Sequence, residues 1–390
     1  MARDVAIIGA GITKFGEVWD RSLRDLGLEA GVKAINDANI ASEDIDALYV
    51  GIMSPGMFLN QEHIAPLIAD WVGVAGSHIP ATRVEAADAS GGLAIREAWA
   101  GIRGGLYDIV VVGGAEKMTD VGDDEALDTL SGSVDQEWEA FFGATLPSLY
   151  AMIARRHMYQ YGTTREQLAA VAVKNHKHGA MNPDAQFQSA VDMKTVLNAG
   201  PVAEPLGVFD CAPFSDGAAA LVLCEWEKAR RICEQPIKIT GSGQAGSSLS
   251  LHSRRDITTL ASTRSASEAA LKMAGKGIHD VQVAELHDSY SIAEILAVED
   301  LGLCKKGEGG KFVESGATTL GGRIPVNTSG GLKARGHPLG ATGIAQAVEI
   351  VQQLRGKAGP RQVKGARVGL THNVGGTGGT CVVHVLEGGN

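Results

Sequence analysis

Three short stretches carry side chains that can move protons or hold a developing negative charge. They are Glu285-Leu286-His287-Asp288-Ser289-Tyr290, Gly336-His337-Pro338-Leu339-Gly340-Ala341-Thr342-Gly343 and Thr371-His372-Asn373-Val374-Gly375-Gly376-Thr377-Gly378-Gly379. Histidine titrates near neutrality, so it serves as acid, base or polarising donor. Singly, each of these histidines is as well explained as a hydrogen-bonded member of a glycine-rich turn. Together, at the C-terminal ends of strands in one half of the chain, they converge on one face, where open α/β sheets hold their ligands. Other motifs carry less. Gly9-Ala10-Gly11-Ile12-Thr13-Lys14 starts like a dinucleotide fingerprint but has Lys14 where the third glycine belongs, so a tight turn after a strand is the better reading. His176-Lys177-His178 lacks the spacing and companions of a zinc site, and no metal is expected. No Gly-x-Ser-x-Gly elbow occurs, and Asp123-Asp124-Glu125 reads as solvated loop charge.

The elements that must position these stretches follow an α/β alternation. Val5–Ile8 reads as a strand ending in Gly9-Ala10-Gly11. A helix-period stretch runs from about Ser22 to Ala38, and further strands fall at Ile45–Val50, Arg83–Ala86 and Ile109–Val112. A helix from Ser90 to Ile102 lies between the last two. The order then repeats. Ile237–Thr240 ends in Gly241-Ser242-Gly243, a helix spans Ser262 to Met273, and Val281–Leu286 is a strand. Val326–Thr328 leads into Ser329-Gly330-Gly331-Leu332, a helix covers Ala341 to Leu354, and Val368–Leu370 is a strand. Ser90-Gly91-Gly92-Leu93 stands 239 residues before Ser329-Gly330-Gly331-Leu332, and Ile45–Val50 stands 236 before Val281–Leu286, so the α/β unit is duplicated. The intervening stretch is helical and richer in charge and aromatics (Trp138, Phe141, Phe142, Tyr150, Tyr159, Tyr161). It reads as an inserted cap over residues 117–209. Residues 1–116 with 210–230 make the first half, where Asp216–Cys224 returns as a buried strand, and 231–390 the second.

Composition narrows the function. The chain has 390 residues, 35 Lys and Arg against 45 Asp and Glu, and a net charge of −10, so nothing supplies a phosphate-neutralising surface and nucleic acid is not expected as a partner. An apolar fraction of 44% excludes disorder. No apolar run approaches a membrane span, and the first residues, from Met1, enter a strand at once, without the pattern of a signal peptide. Cys211, Cys224, Cys233, Cys304 and Cys381 follow no disulfide or metal spacing and read as reduced cytoplasmic thiols.

With the motifs taken together, the chain resembles the thiolases over essentially its whole length, in the archaeal acetoacetyl-CoA thiolase (acetyl-CoA C-acetyltransferase) branch related to the sterol-carrier-protein-2 type. His287-Asp288, Gly336-His337-Pro338 and His372-Asn373-Val374-Gly375 match the family's loops. So do Lys174-Asn175-His176-Lys177-His178, Asn182-Pro183 with Gln186-Phe187, and Ser215-Asp216-Gly217-Ala218-Ala219-Ala220. The resemblance implies two βαβαβαββ halves forming a five-layered αβαβα core with an inserted loop domain. It also implies the family's chemistry: a cysteine at a helix N-terminus takes an acyl group from coenzyme A, and the enolate of a second acetyl-CoA attacks it. His337 would activate that nucleophile, and His287 would bind the thioester oxygen. His372, Asn373 and Gly376 would line the pocket, and the coenzyme would pass near His176, Ser247 and Ser248. The coenzyme A thioester is the substrate and no cofactor is implied. A homodimer or homotetramer is implied, with an HMG-CoA synthase and a small zinc-ribbon/OB-fold (DUF35-type) protein as partners in the first step of mevalonate synthesis.

One position departs from the family. Its nucleophile motif reads Val-Glu-Ala-Ala-Cys-Ala-Ser-Gly, and this chain reads Val84-Glu85-Ala86-Ala87-Asp88-Ala89-Ser90-Gly91. The second thiol, carried by a His-Asp-Cys-Phe loop in the nearest branch, is replaced within His287-Asp288-Ser289-Tyr290, and Cys381 lies too late in the sequence to substitute. Asp88 is expected to impair acyl transfer. Two alternatives stand beside that expectation. One is a retro-aldol cleavage of a β-hydroxyacyl-CoA, which needs no acyl-enzyme and would use Tyr290, with Ser289 beside it, as acid/base. The other is a non-catalytic CoA-binding or scaffold subunit.

Overall fold

A computed structural model describes residues 3–389, so Met1, where the N-terminal expectation begins, lies outside the described residues. Nine strands form one sheet: β1 (Val5–Ile12), β2 (Ala47–Gly51), β3 (Ala81–Val84), β4 (Ile109–Glu116), β5 (Gly217–Glu225), β6 (Ile237–Gly246), β7 (Val283–Leu286), β8 (Val368–Gly375) and β9 (Thr380–Gly388). The spatial order is β3-β2-β4-β5-β1-β6-β9-β8-β7, so each half contributes a contiguous block. The blocks join through β1 and β6, where Ala6 pairs with Lys238 and Ile7 with Ile237.

The duplication is visible in how strands meet helices. Helix α1 (Leu23–Ala38) covers β1 and β5, and α5 (Ala261–Ala274) covers β6 and β9. A Cβ on Gly9 would stand 2.2 Å from the Ala34 carbonyl of α1, and one on Gly243 would stand 2.0 Å from the Ala266 carbonyl of α5. The two Gly-x-Gly runs are therefore packing features, where a helix lies directly on a strand, and not phosphate cradles. Ser22 caps α1 with a box, its Oγ accepting from Asp25 N while Asp25 Oδ2 accepts from Ser22 N at 2.9 Å.

Two central helices, α2 (Ser90–Arg103) and α7 (Leu339–Leu354), lie between the two sheet blocks. Ile95, Ala98 and Ile102 of α2 share one core with Ile344, Val348 and Ile350 of α7 and with Val5, Val112 and Val283 of the strands. With α1 and α5 outside, this makes five layers. The second half differs from the first in one respect. Where the first half has β3, the segment Val326–Thr328 makes only a single bridge, between Ala284 and Val326. Asn327 takes a φ of +56°, and its Oδ1 accepts from Leu286 N at 2.7 Å, so its side chain takes over a ladder bond that a strand would have made.

Between β4 and β5 stand the cap helices α3 (Leu146–Tyr161) and α4 (Arg165–Gly179). Leu149, Tyr150, Ile153 and Leu168 pack against Tyr290, Ile292 and Leu296, which belong to the loop after β7 and to α6 (Ser291–Asp300). The root of the cap is pinned by buried Asp216. It accepts from Lys117 Nζ at 2.7 Å, from Met118 N at 2.7 Å and from Thr119 N at 3.0 Å. Burial alone would push this carboxyl up, but the hydrogen bonds from Lys117, Thr119 and Val18 hold it below the usual range. Among the described residues no helix is long and apolar enough to cross a membrane.

Candidate active site

Asp88 sits in the turn between β3 and α2. Ala87 takes a φ of +52°, uncommon for a residue with a Cβ, and Ser90 Oγ clamps the turn by accepting from Ala86 N at 2.9 Å and donating to Ala87 O at 2.5 Å. The Asp88 side chain is thereby held at the N-terminus of α2, where the helix dipole favours an anion, and it is buried to 1% exposure.

His337 reaches the same point from the loop before α7. Its Nδ1 lies 2.7 Å from Thr342 Oγ1, whose hydroxyl donates to Pro338 O at 3.0 Å. Thr342 is thus the acceptor, and Nδ1 carries a proton. Its Nε2 stands 3.3 Å from Asp88 Oδ2, within hydrogen-bonding reach of that carboxylate. Glu116 fixes this loop from below. Its carboxyl accepts from Met53 N, Ser54 N and Gly340 N at 2.9 to 3.1 Å, and burial pushes its pKa up to about 7 against those bonds.

His287 comes from the end of β7. Asn373 on β8 accepts from Gly92 N at 3.0 Å and donates through Nδ2 to Asp88 O at 3.0 Å and to His287 Nδ1 at 3.3 Å. That leaves the proton of neutral His287 on Nε2, which points at Asp88 Oδ2 across 3.6 Å. Burial pushes the His287 pKa down, with Asp88 pulling the other way. For Asp88 burial is opposed and overcome by the bonds from His287 and His337, so its carboxyl lies well below the usual range. The other oxygen, Oδ1, faces Gly376 N at 3.4 Å. Asp88, His287, His337, Asn373 and Gly376 thus meet at one point.

The remaining expected residues are placed differently. His372 stands one layer behind the site: its Nδ1 accepts from His287 N at 3.3 Å, its Nε2 lies 2.9 Å from Thr263 Oγ1 on α5, and burial pushes it down to about 3. It lines neither the small cavity at Asp88 nor the larger one under the cap, because β8 turns its side chain toward α5. Asp288 likewise faces away, accepting from Asn175 Nδ2 at 2.6 Å and Leu332 N at 2.7 Å. Ser289 Oγ is buried without a hydrogen-bond partner. Tyr290 stacks on Tyr150 with ring centroids 4.4 Å apart, and burial raises its pKa well above the usual range. Both Ser289 and Tyr290 line a small cavity with Asp88, Met118, Phe214 and His337. His176 and the Ser247–Ser248 loop have different surroundings. His176 packs between Phe187 and Phe209 on the wall of a second cavity, whereas Ser247 N donates to Gly379 O at 2.9 Å and Ser248 O accepts from Arg254. Neither serine lines that cavity.

Asp88, His287 and His337 also offer ligand atoms within 4.8 Å of one another, the spacing a metal ion could use. The tautomer argues against it. Asn373, held by Gly92 and the Asp88 carbonyl, donates to His287 Nδ1, so the nitrogen facing Asp88 is the protonated one and offers no lone pair.

The thiolase N-terminal domain family matches residues 5–227, and the thiolase C-terminal domain-like family matches residues 243–388. The chain belongs to the thiolase family. Within it, the chain is 57% identical over 385 residues to the acetyl-CoA acetyltransferase of Methanothermobacter thermautotrophicus, covering 99% of this chain and all of that one. It is 35% identical to bovine sterol carrier protein 2, covering 98% of this chain and 72% of that one. The solved structure of an Ltp2-ChsH2(DUF35) aldolase superposes with a TM-score of 0.86 at 27% identity, over 98% of this chain and 97% of that one. The fold and the acetyl-CoA acetyltransferase branch, an acyltransferase family, are therefore those that the sequence motifs indicated.

Sequence reasoning misses Thr342, which sets the His337 tautomer although it stands only five residues on in the same motif. It also misses the positive φ of Ala87, for which an alanine gives no signal. Tyr150, whose Oη donates to Gly376 O at 2.9 Å, reads in the sequence only as one aromatic of the cap.

Proposed function

We propose that this chain binds short acyl-CoA thioesters, acetyl-CoA and acetoacetyl-CoA among them, beside Asp88, and that it is impaired in acyl transfer through a covalent acyl-enzyme. One observation carries this: the Asp88 carboxylate is an anion fixed at a helix N-terminus, 3.3 Å from His337 Nε2 and 3.6 Å from His287 Nε2. Attack by that carboxylate would break the thioester C–S bond, release the CoA thiolate and leave a mixed anhydride, higher in energy than the thioester consumed. The same carboxylate also stands beside His287 Nε2 and accepts from Gly376 N, donors that a thioester oxygen would otherwise use.

The test is Asp88→Cys, assayed for thiolysis of acetoacetyl-CoA. A gain of roughly 10⁴-fold or more is expected, on the scale of restoring a lost nucleophile. Thiolase activity in the unmodified chain, abolished by thiol alkylation, would overturn the proposal.

A second reading is a retro-aldol cleavage of a β-hydroxyacyl-CoA. It is favoured by the likeness to the aldolase structure and by Tyr290 lining the cavity with Asp88. A base removes the hydroxyl proton, the Cα–Cβ bond breaks, a carbonyl compound leaves, and the enolate, its oxygen near His287, takes up a proton. Tyr290 is a donor in this scheme, since its raised pKa makes it a poor base. Cleavage of a β-hydroxyacyl-CoA by the unmodified chain, lost in Tyr290→Phe, would support this reading. A purely scaffolding role is disfavoured by the intact His287 and His337.

The expected cytoplasmic setting, the first step of mevalonate synthesis and the homodimer or homotetramer belong to the same proposal. So do an HMG-CoA synthase and a zinc-ribbon/OB-fold protein as partners. The last gains support from the DUF35 component that the aldolase structure carries in its name.

A further inference from the structure

A cavity of about 480 Å³ lies under the cap and shares Leu130, Ala212, Pro213, Phe214 and Tyr290 with the small cavity at Asp88. The shared residues set the two cavities side by side, so a thioester seated at Asp88 lies next to this volume. Its walls are mostly apolar, with two buried polar side chains among them, Lys333 and His176.

Both are under-partnered. Lys333 is 1% exposed, and its Nζ donates to the backbone oxygen of Asp210. The other two buried lysines each have a carboxylate in direct contact: Lys117 Nζ lies 2.7 Å from Asp216 and Lys174 Nζ lies 2.8 Å from Glu294. Lys333 has none within 4 Å among the described residues. The carboxylates that act on it from farther off are engaged elsewhere, Asp210 by Arg165, Asp288 by Asn175 and Leu332 N, and Glu294 by Lys174. An ammonium buried with no carboxylate in direct contact is costly, and a cavity wall that keeps one offers an anion a partner. His176, 4% exposed, has its Nδ1 buried without a partner on the same wall.

We infer that this cavity is an acyl pocket for CoA thioesters whose acyl chain ends in a carboxylate, with Lys333 as the counter-ion and His176 beside it as a second hydrogen-bonding group. The exposed carboxylates of Asp123 and Asp124 at the cavity edge repel a free anion arriving from solvent. The carboxylate is therefore delivered from the thioester side, tethered to the acyl chain. The inference rests on the thioester-binding half of the proposed function.

The test is equilibrium binding of the full chain to matched pairs of thioesters: glutaryl- against pentanoyl-CoA, adipoyl- against hexanoyl-CoA and suberoyl- against octanoyl-CoA, with acetyl-CoA as reference. At one length or more the carboxylated thioester is expected to bind about tenfold tighter than its neutral partner, as a charge-assisted contact gives. That preference is expected to vanish in Lys333→Met, whose folding is checked by its melting curve. The comparison within the unmodified chain stands even where the variant does not fold. Acetyl-CoA binding with no carboxylate preference at any length overturns the inference and leaves the proposed function standing. Failure of every thioester to bind overturns both.

Discussion

At the scale of single residues, the candidate site is a set of hydrogen bonds that leave little choice of protonation. Thr342 takes the Nδ1 proton of His337, Asn373 gives its proton to His287 Nδ1, and each histidine turns Nε2 to Asp88. Asn373→Ala would leave Gly92 N and the Asp88 carbonyl unpaired in the interior. A loss of about 2–3 kcal/mol in stability is expected, read by denaturant unfolding. Thr342→Val, placed in the Asp88→Cys background, removes the acceptor that orients His337. A fall of about 10- to 100-fold in kcat with little change in KM is expected from steady-state thiolysis, as for other groups that orient a functional histidine. Most of the converging residues were legible as motifs, because histidine, asparagine and glycine in short runs are distinctive. His372 was not legible as a buried supporting group, since its type and its neighbour Asn373 suggest the site and only the direction of its side chain excludes it.

At the scale of elements, the site depends on how closely α2 and α7 approach β8. A Cβ on Gly343 would stand 2.2 Å from Asn373 Oδ1 and 2.2 Å from Gly92 N, and the Gly92 backbone cannot give way. Gly343→Ala is expected to cost at least about 3 kcal/mol or to prevent folding, with Asn373 displaced from His287 and Asp88. Unfolding curves and soluble yield check this. Helix and strand positions followed from periodicity, and the duplicated order followed from the offsets between the halves. The ends of strands did not. β4 and β6 run on through glycines that a propensity argument reads as turns, because neighbouring strands supply the ladder. That Val326 makes one bridge rather than a strand was also illegible, since it follows from the left-handed Asn327 and its bond to Leu286 N.

At the scale of the whole molecule, burying so many polar groups between five layers ties stability to pH. His176, His178 and His384 are pushed down to about 4 and His372 to about 3, burial being the leading cause for each. Their folded pKa values lie below the unfolded value of about 6.5, so the unfolded chain binds more protons between pH 6.5 and 4 and stability falls as pH falls through that window. Glu116 and Glu285, pushed up to about 7 by burial, act in the opposite sense between pH 7 and 4.5. A single variant isolates one contribution. Relative to the unmodified chain, His384→Gln is expected to gain stability as pH falls from 6.5 toward 4, at up to about 1.4 kcal/mol per pH unit, in denaturant unfolding at a series of pH values. By itself the sequence determined the α/β class, the duplication, the three histidine loops and the unusual Asp88, because these rest on residue type and on spacing along the chain. Only the tertiary structure decided that Asp88 meets two histidines rather than standing free, that His372 stands behind the site, that His176 lines a cavity that Ser247 does not, and that Lys333, among the buried lysines of the described residues, lacks a carboxylate within 4 Å. Each of those depends on which atoms from distant segments share one buried volume, and hydrogen-bond partners and counter-ions are properties of that volume rather than of neighbours in sequence.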